Sequence, residues 1–248
     1  MKFLCPVCRR EEEIIGDRNP RCRFCGVEMI PPSNYSQVWM SPSFAIRRMR
    51  TINETYGGDR AHKYGKFKKE REAWTTAMLA LALTKLTGKE WWIEIETVDN
   101  TPDTRLRRIS QEPGGNIIET HEIEIVDWET NVGDIMEVIE KKCARAYPSN
   151  YILLVNARNS SKVVDFDRVI KEIKKLSSPF LEVWVFVFVK PSNFTVVRVA
   201  PAPAFVELTR PDFEKASNQT PFLRRLTRST KSEFKDLGLL YMPIPPGE

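Results

Sequence analysis

The run VWVFVFV at residues 183–189 is apolar at every position and consists only of β-branched and aromatic side chains. Successive side chains of a strand point to opposite faces of a sheet, so a strand without polar positions is buried on both faces. This run therefore predicts a strand deep inside a sheet. Together with the helical patterns that precede it in the chain, it predicts an α/β fold.

Apolar spacing divides residues 67–200 into alternating helices and strands. The first three strands are joined by connections too short for crossovers, so we expect them to be antiparallel. The later strand–helix–strand unit is expected to be parallel and right-handed. The predicted elements, in order, are a helix at 67–87 with Gly88 at its C-cap, strands at 91–98, 105–109 and 116–128, a helix at 133–147, a strand at 151–155, a helix at 165–176 and a strand at 183–189.

The N-terminus carries two CxxC pairs, Cys5–Cys8 and Cys22–Cys25, which are separated by 13 residues. Each pair lets two thiolates reach one ion from a single turn, and four thiolates suit a tetrahedral Zn²⁺. Residues 1–32 resemble a zinc ribbon, a segment so short that the metal would supply its folding free energy. Iron bound by the four cysteines is the weaker alternative. The fifth cysteine, Cys143, is predicted to be a small core residue.

Three further segments are defined by composition. Residues 33–66 are predicted to be a basic linker, in which Ser43 would cap a short arginine-rich helix. Residues 67–200 form the main domain, which Pro201–Pro203 would end, and residues 201–248 form a basic extension with a helical portion between 210 and 228. Both basic segments are interpreted either as solvated surface or as contacts to phosphates. The arginines of the ribbon are likewise interpreted in two ways, as contacts to nucleic acid or as part of a structural, protein-contacting module.

Several carboxylates stand at positions that favour chemistry. Asp103 follows Pro102 at the start of the second predicted strand, and Glu122 and Glu124 are two residues apart on the third, so they share one face of the sheet. Glu70 lies on the apolar face of the first helix of the main domain. It is interpreted either as a site residue or as an acid that favours the helix dipole.

This order of elements with these acids resembles the PD-(D/E)xK nuclease superfamily over residues 67–155. Pro102–Asp103 matches the first part of the motif, Glu122 the second part, and Glu70 the helical acid of many members. The resemblance implies a restriction-endonuclease-like mixed sheet flanked by helices, here preceded by the zinc ribbon. The chain departs from the motif at Glu124, where the superfamily usually has lysine and some restriction endonucleases have a carboxylate.

The resemblance implies a metal-dependent nuclease that acts on phosphodiester bonds, with DNA as the expected substrate. Asp103 and Glu122 would hold Mg²⁺ or Mn²⁺, and Glu124 would be a further ligand or a general base. The alternatives are a catalytically inactive protein of the same fold that binds nucleic acid, and a zinc-ribbon scaffold that contacts proteins. In the last case the carboxylates would only form a solvated surface.

Composition and the absence of certain motifs narrow the classes of function that the sequence allows. The net charge of +5 is compatible with a polyanionic partner. The chain contains no long apolar span, no signal-peptide pattern and no GxxxxGK[ST] or GxGxxG motif, so we expect a soluble, cytoplasmic protein without a nucleotide cofactor. Double-strand cleavage with one site per chain would favour a homodimer.

Elemental analysis of the purified chain is expected to find about one zinc per molecule, because four thiolates complete one tetrahedral site. The variant Cys22→Ser should lose most of this zinc, whereas Cys143→Ser, which removes the cysteine outside the pairs, should retain it. Equal zinc content in both variants would contradict the assignment.

Overall fold

The computed structural model describes most of the chain between residues 37 and 241, together with short pieces nearer the N-terminus. The four paired cysteines lie outside the described residues, as does the zinc ribbon that they predict. The described residues are 2–4, 11–13, 21, 37–95, 102–112, 115–129, 133–158, 163–190, 193–209, 212, 222–228 and 234–241.

Twelve strands are present in the described residues. β1 (Lys2–Leu4) and β2 (Glu11–Glu13) form a separate antiparallel pair, and the other ten strands form one sheet. These ten are β3 (Gln37–Met40), β4 (Trp92–Ile95), β5 (Thr104–Glu112), β6 (Gly115–Trp128), β7 (Tyr151–Ala157), β8 (Glu182–Lys190), β9 (Asn193–Ala200), β10 (Ala204–Leu208), β11 (Phe222–Arg228) and β12 (Phe234–Tyr241).

The large sheet is mixed, with the strand order β10-β9-β8-β7-β6-β5-β4-β3-β11-β12. Strands β4, β5 and β6 are antiparallel, and strands β6, β7 and β8 are parallel. Both expectations about strand direction are confirmed. Strand β6 is the point at which antiparallel pairing on one side changes to parallel pairing on the other.

Five helices are described, and they cover both faces of the sheet. None of them is both long and apolar enough to cross a membrane. The helices are α1 (Pro42–Tyr56), α2 (Gly58–Lys63), α3 (Lys68–Thr87), α4 (Ile135–Cys143) and α5 (Phe166–Ile173).

The core has one layer on each face of the sheet, and β8 contributes to both. Trp184 and Phe186 pack with the apolar residues of α1 and α3. Val183 and Val185 point the other way and pack with those of α4 and α5. The prediction of an α/β fold with a mixed sheet between helices is therefore confirmed.

The expectation of a solvated linker over residues 33–66 was wrong for its described part, residues 37–66. Strand β3 joins the large sheet, and α1 buries Phe44 and Ile46 in the core shared with α3. The N-cap of α1 is Ser41 rather than Ser43, since the Ser41 hydroxyl accepts a hydrogen bond from the Phe44 N–H at 3.2 Å. The basic residues of α1 lie on its outer face and dominated the composition of the segment, so the apolar face that packs into the core was overlooked.

The C-terminal expectations are also corrected by the sheet. Pro201–Pro203 does not end the domain, because β10 follows it and pairs with β9. Asp212 is helical, in line with the helical portion predicted between 210 and 228, but residues 222–228 form strand β11, which pairs with the outer edge of β3. An unpaired strand edge exposes backbone groups that another strand can satisfy, and this long-range pairing overrides local helix propensity.

Gly88 ends α3 in the left-handed conformation, at φ +68°, as the sequence predicted for the C-cap. We expect Gly88→Ala to lower the free energy of unfolding by about 1 kcal/mol, because a Cβ is disfavoured at this backbone angle. Space is not the cause, since no atom lies within 4 Å of the added Cβ.

Urea denaturation checks this expectation, and Gly58→Ala is the matched control. Gly58 lies at the start of α2 with equal space around it and without a positive φ. The control should leave stability unchanged or slightly raised. Equal losses in the two variants would contradict the role given to the backbone angle.

Candidate active site at the open edge of strand β6

The candidate site lies where strand β6 extends beyond its neighbour β5. The β5–β6 ladder ends at the pair Thr104 and Ile123, whereas the β6–β7 ladder continues to Trp128. Residues 124–128 of β6 therefore have a strand partner on one side only, within the described residues. We call their other side the open edge of β6.

Asp103 makes two hydrogen bonds to the backbone of β6 where the open edge begins. Its backbone N–H donates to the Ile123 carbonyl at 3.0 Å, and its Oδ2 accepts from the Ile125 N–H at 2.8 Å. Without this contact the partly buried Ile125 N–H would have lost its hydrogen bond, which is costly. The hydrogen bond therefore fixes the position of the Asp103 carboxylate on the sheet. Asp103 immediately precedes β5 in the chain.

A cleft of about 420 Å³ opens at this edge, and we call it the carboxylate cleft. Helix α3 contributes to it from one face of the sheet and α4 from the other. Its charged lining residues are four acids and four bases: Glu72, Asp103, Glu124 and Asp127 with Lys68, Arg71, Lys142 and Arg158.

Glu72 reaches the cleft from α3 and is 7% exposed. The helix is fixed here by a buried link, in which the Thr76 hydroxyl contacts the Thr104 hydroxyl and the Glu72 carbonyl at 2.7 and 2.8 Å. Lys69 Nζ lies 3.1 Å from Glu72 Oε2. Burial, followed by the negative charge of Asp103, raises the pKa of Glu72 above its ordinary value.

Burial also raises the pKa of Asp103. The hydrogen bond from Ile125 opposes this shift, and the charge of Glu124 adds to it. Asp103 thus repels both Glu72 and Glu124, so one carboxylate of the cleft lies within electrostatic range of two others. Such a group gains stability when a cation or a proton joins it.

Glu124 is the most buried of these acids, at 4% exposure. Its Oε1 contacts the ammonium of Lys142 and accepts a hydrogen bond from the Tyr147 hydroxyl at 3.3 Å. Its Oε2 is buried and has no hydrogen-bond partner among the described residues. One oxygen of this carboxylate is therefore neutralised by α4, and the other remains an acceptor.

The far side of the cleft is built around Asp127 and two arginines. Asp127 Oδ1 lies 3.1 Å from Arg158 Nε and accepts a hydrogen bond from Asn156 Nδ2 at 2.8 Å. Burial and then the charge of Arg158 lower the pKa of Arg71. Two guanidinium groups that repel each other beside a cleft form a suitable place for an anion.

The structure brings two of the four predicted catalytic acids into the cleft, Asp103 and Glu124. Glu122 instead pairs across the ladder with Arg105, whose Nε lies 2.7 and 3.0 Å from its two oxygens. It stands directly opposite Arg105 in register, inside the ladder rather than at the open edge. The structure therefore does not bring Glu122 into the cleft with Asp103, and a metal ion shared by these two acids stays a prediction.

Glu70 also lies outside the cleft, 3.7 Å from Arg48 of α1. Sequence reasoning placed it by the apolar stripe of α3, whereas α1 covers that side of the helix. The acid that reaches the cleft is Glu72. A polar stripe at helical spacing, Lys68–Glu72–Thr75, was the signal that would have indicated it.

Lys142 was missed altogether. It lies 18 residues after Glu124 on a different element, so no short motif joins the two, and the helix pattern of α4 predicted only which residues face the core. The amphipathic pattern placed Lys142 beside the apolar stripe without saying what it would contact. The register of α4 on the sheet decided that.

The residues present fit a divalent cation of the Mg²⁺ type. Within the described residues, no group of three or more His, Cys, Asp and Glu side chains forms a metal-binding cluster. Mg²⁺, however, keeps several waters and is usually held by one or two carboxylates with substrate phosphate oxygens. Asp103 and the buried, unpartnered Oε2 of Glu124 meet that requirement.

Comparison with known proteins finds no family model that matches the chain, and no curated protein or solved structure that is significantly similar to it.

We expect Asp103→Asn to raise the free energy of unfolding at pH 7. The folded state holds the Asp103 proton more tightly than the unfolded chain does, so the ionised carboxylate costs stability above its ordinary pKa of 3.8. An asparagine oxygen can still accept the Ile125 hydrogen bond without carrying the charge.

The gain over the wild type should be largest at neutral pH and should disappear as the pH falls below the ordinary value of 3.8, because the aspartate is then protonated in both states. Urea denaturation of both proteins over this pH range measures the difference. A difference that stays constant with pH would contradict the electrostatic explanation.

Proposed function

We propose that the protein is a metal-dependent nuclease that hydrolyses phosphodiester bonds, with DNA as its substrate. The observation that carries the proposal is the carboxylate cleft, in which Asp103, Glu124 and the ammonium of Lys142 meet at the open edge of a mixed sheet. The resemblance of the chain to the PD-(D/E)xK superfamily, and the restriction-endonuclease-like fold that it implies, belong to this proposal.

The geometry supports a reassignment of the motif residues. Asp103 and Glu124, which are adjacent across the end of the β5–β6 ladder, become the two acids of the motif. Lys142 then supplies the ammonium that the sequence lacks at position 124. A lysine from α4 would act on the reacting groups as well as one from β6, because the position of its charge matters and its place in the chain does not.

Asp103 and Glu124 would hold Mg²⁺ or Mn²⁺, which when bound would withdraw charge from the scissile phosphate and acidify water. Glu72 is the candidate general base, since it lines the cleft and burial raises its pKa above that of an ordinary glutamate. Lys142 orients Glu124 and adds positive charge where negative charge develops on the phosphate.

The surrounding bases supply the affinity for substrate in this proposal. Lys68, Arg71 and Arg158 line the same cleft, and cationic side chains neutralise backbone phosphates without reading sequence. The four paired cysteines would bind a structural zinc, and the ribbon would position nucleic acid beside the cleft.

A second candidate is a catalytically inactive protein of the same fold that binds nucleic acid. It is favoured by the Lys142 contact, because an ammonium that neutralises Glu124 lowers the demand for a metal ion there. Binding of DNA that depends on salt, without cleavage in Mg²⁺ or Mn²⁺, would support this candidate over the first.

Incubation with plasmid, linear duplex and single-stranded DNA in Mg²⁺ or Mn²⁺, with EDTA as the control, tests the proposal. We expect Asp103→Asn, Glu124→Gln and Lys142→Met each to slow cleavage by about 100-fold or more, because each removes a charge from the reacting centre.

Two matched controls accompany these variants. Glu122→Gln changes an acid on the same face of β6 that is bound to Arg105, and Lys141→Met changes the exposed neighbour of Lys142 on α4. Both should stay within a few-fold of the wild type, and circular dichroism should show that all the variants fold. Cleavage that survives Asp103→Asn and Glu124→Gln would refute the site.

A further inference from the structure

A second cleft, of about 660 Å³, adjoins the carboxylate cleft, and we call it the aromatic cleft. Arg71 and Arg158 line both clefts, so the two clefts share a boundary. Asn156 lines the aromatic cleft and donates to Asp127, which lines the carboxylate cleft. A ligand held in one cleft is therefore within reach of the other.

The wall of the aromatic cleft is a group of four rings. Phe186 and Phe194 stack with their centroids 5.4 Å apart and their planes 23° apart. Trp74 lies edge-on to Phe186, with a centroid distance of 5.6 Å. Phe188 lies 5.4 Å from Phe194 and is 46% exposed, so the group presents a ring face or edge to solvent at the mouth of the cleft.

Polar groups surround this aromatic wall. Asn53 and Asn156 can each donate and accept hydrogen bonds, Glu54 can accept, and His62 has two ring nitrogens. Arg50 adds an exposed positive charge from α1. A flat ligand with hydrogen-bonding edges and an attached anionic group would match the wall, the polar groups and the arginines together.

We infer that the aromatic cleft receives one unstacked nucleobase of the substrate strand while the neighbouring phosphate occupies the carboxylate cleft. This inference rests on the proposed function. It assigns the substrate class as single-stranded DNA or the splayed end of a duplex.

Stacking and strand geometry give the reason for this preference. Every base has a π-face that can stack on an aromatic side chain, and such stacking is independent of sequence. In an intact duplex both faces of a base are covered by its neighbours, so entry into the cleft would require unstacking and unpairing. The shared pair, Arg71 and Arg158, would bind the phosphate that joins the base to the scissile bond.

The inference is tested by fluorescence anisotropy on the full-length protein in EDTA, so that cleavage does not interfere. The probes are a labelled single-stranded oligodeoxynucleotide, the same strand in a duplex, and an abasic strand of equal length that keeps every phosphate. The single strand is expected to bind about tenfold more tightly than the abasic strand.

Phe188→Ala should remove most of this difference, because Phe188 presents the exposed ring of the cleft. Phe205→Ala is the matched control, since Phe205 is 58% exposed on β10 and does not line the cleft. The control should keep the tenfold preference. Because both rings are exposed, neither substitution should unfold the protein, and a change in DNA binding cannot then be attributed to unfolding.

Equal binding of the normal and abasic strands by the wild type would overturn the inference, as would equal effects of the two variants or an absence of binding to any probe. Cleavage in Mg²⁺ separates the two proposals. Cleavage with no effect of the bases would refute the aromatic cleft and leave the nuclease, whereas base-dependent binding without cleavage would refute the nuclease and leave the cleft.

Discussion

The mismatch in length between strands β5 and β6 is the constraint on which the candidate site depends. Where the β5–β6 ladder stops, β6 keeps its parallel partner β7 and loses its antiparallel one. Asp103 satisfies the first N–H that this leaves, so a carboxylate is fixed at the edge by a backbone hydrogen bond. Because no strand of the described part of the chain covers this edge, side chains from α3 and α4 can approach it from opposite faces. The pairing of the strands thus creates the space for the cleft, and the side chains then line it.

The charges in the cleft oppose the stability of the fold. Glu72 is buried and Asp103 is half-buried, and burial together with a neighbouring carboxylate raises the pKa of each. Clusters of this kind persist where something else in the structure holds them or where a ligand uses them. Here the Thr76–Thr104 link and the Ile125 hydrogen bond hold the backbones on either side of the cleft. Lys142 offsets part of the negative charge from a third element.

The aromatic cleft lies on the face of the sheet that α1 and α3 cover. Trp74 comes from α3, and Phe186 and Phe194 come from β8 and β9, beyond β7 from the carboxylate cleft. Helix α1, predicted as part of a linker, supplies the opposite wall with Asn53 and Glu54. The region that sequence composition assigned to a basic linker is therefore part of both the core and the cleft. Basic composition described its outer face and not the apolar face that packs on α3.

The sequence by itself determined the helices and strands of residues 67–189, the directions of these strands, and the two-sided burial of residues 183–186 of β8, but not strand β9. These features follow from local periodicity and from short connections, both of which are properties of neighbouring residues. It also indicated Asp103 and Glu124 as candidates. Only the tertiary structure decided that Glu122 binds Arg105, that Glu72 rather than Glu70 lines the cleft, and that Lys142 contacts Glu124. These outcomes depend on register and on the packing of helices against the sheet, which bring together residues that no spacing along the chain relates.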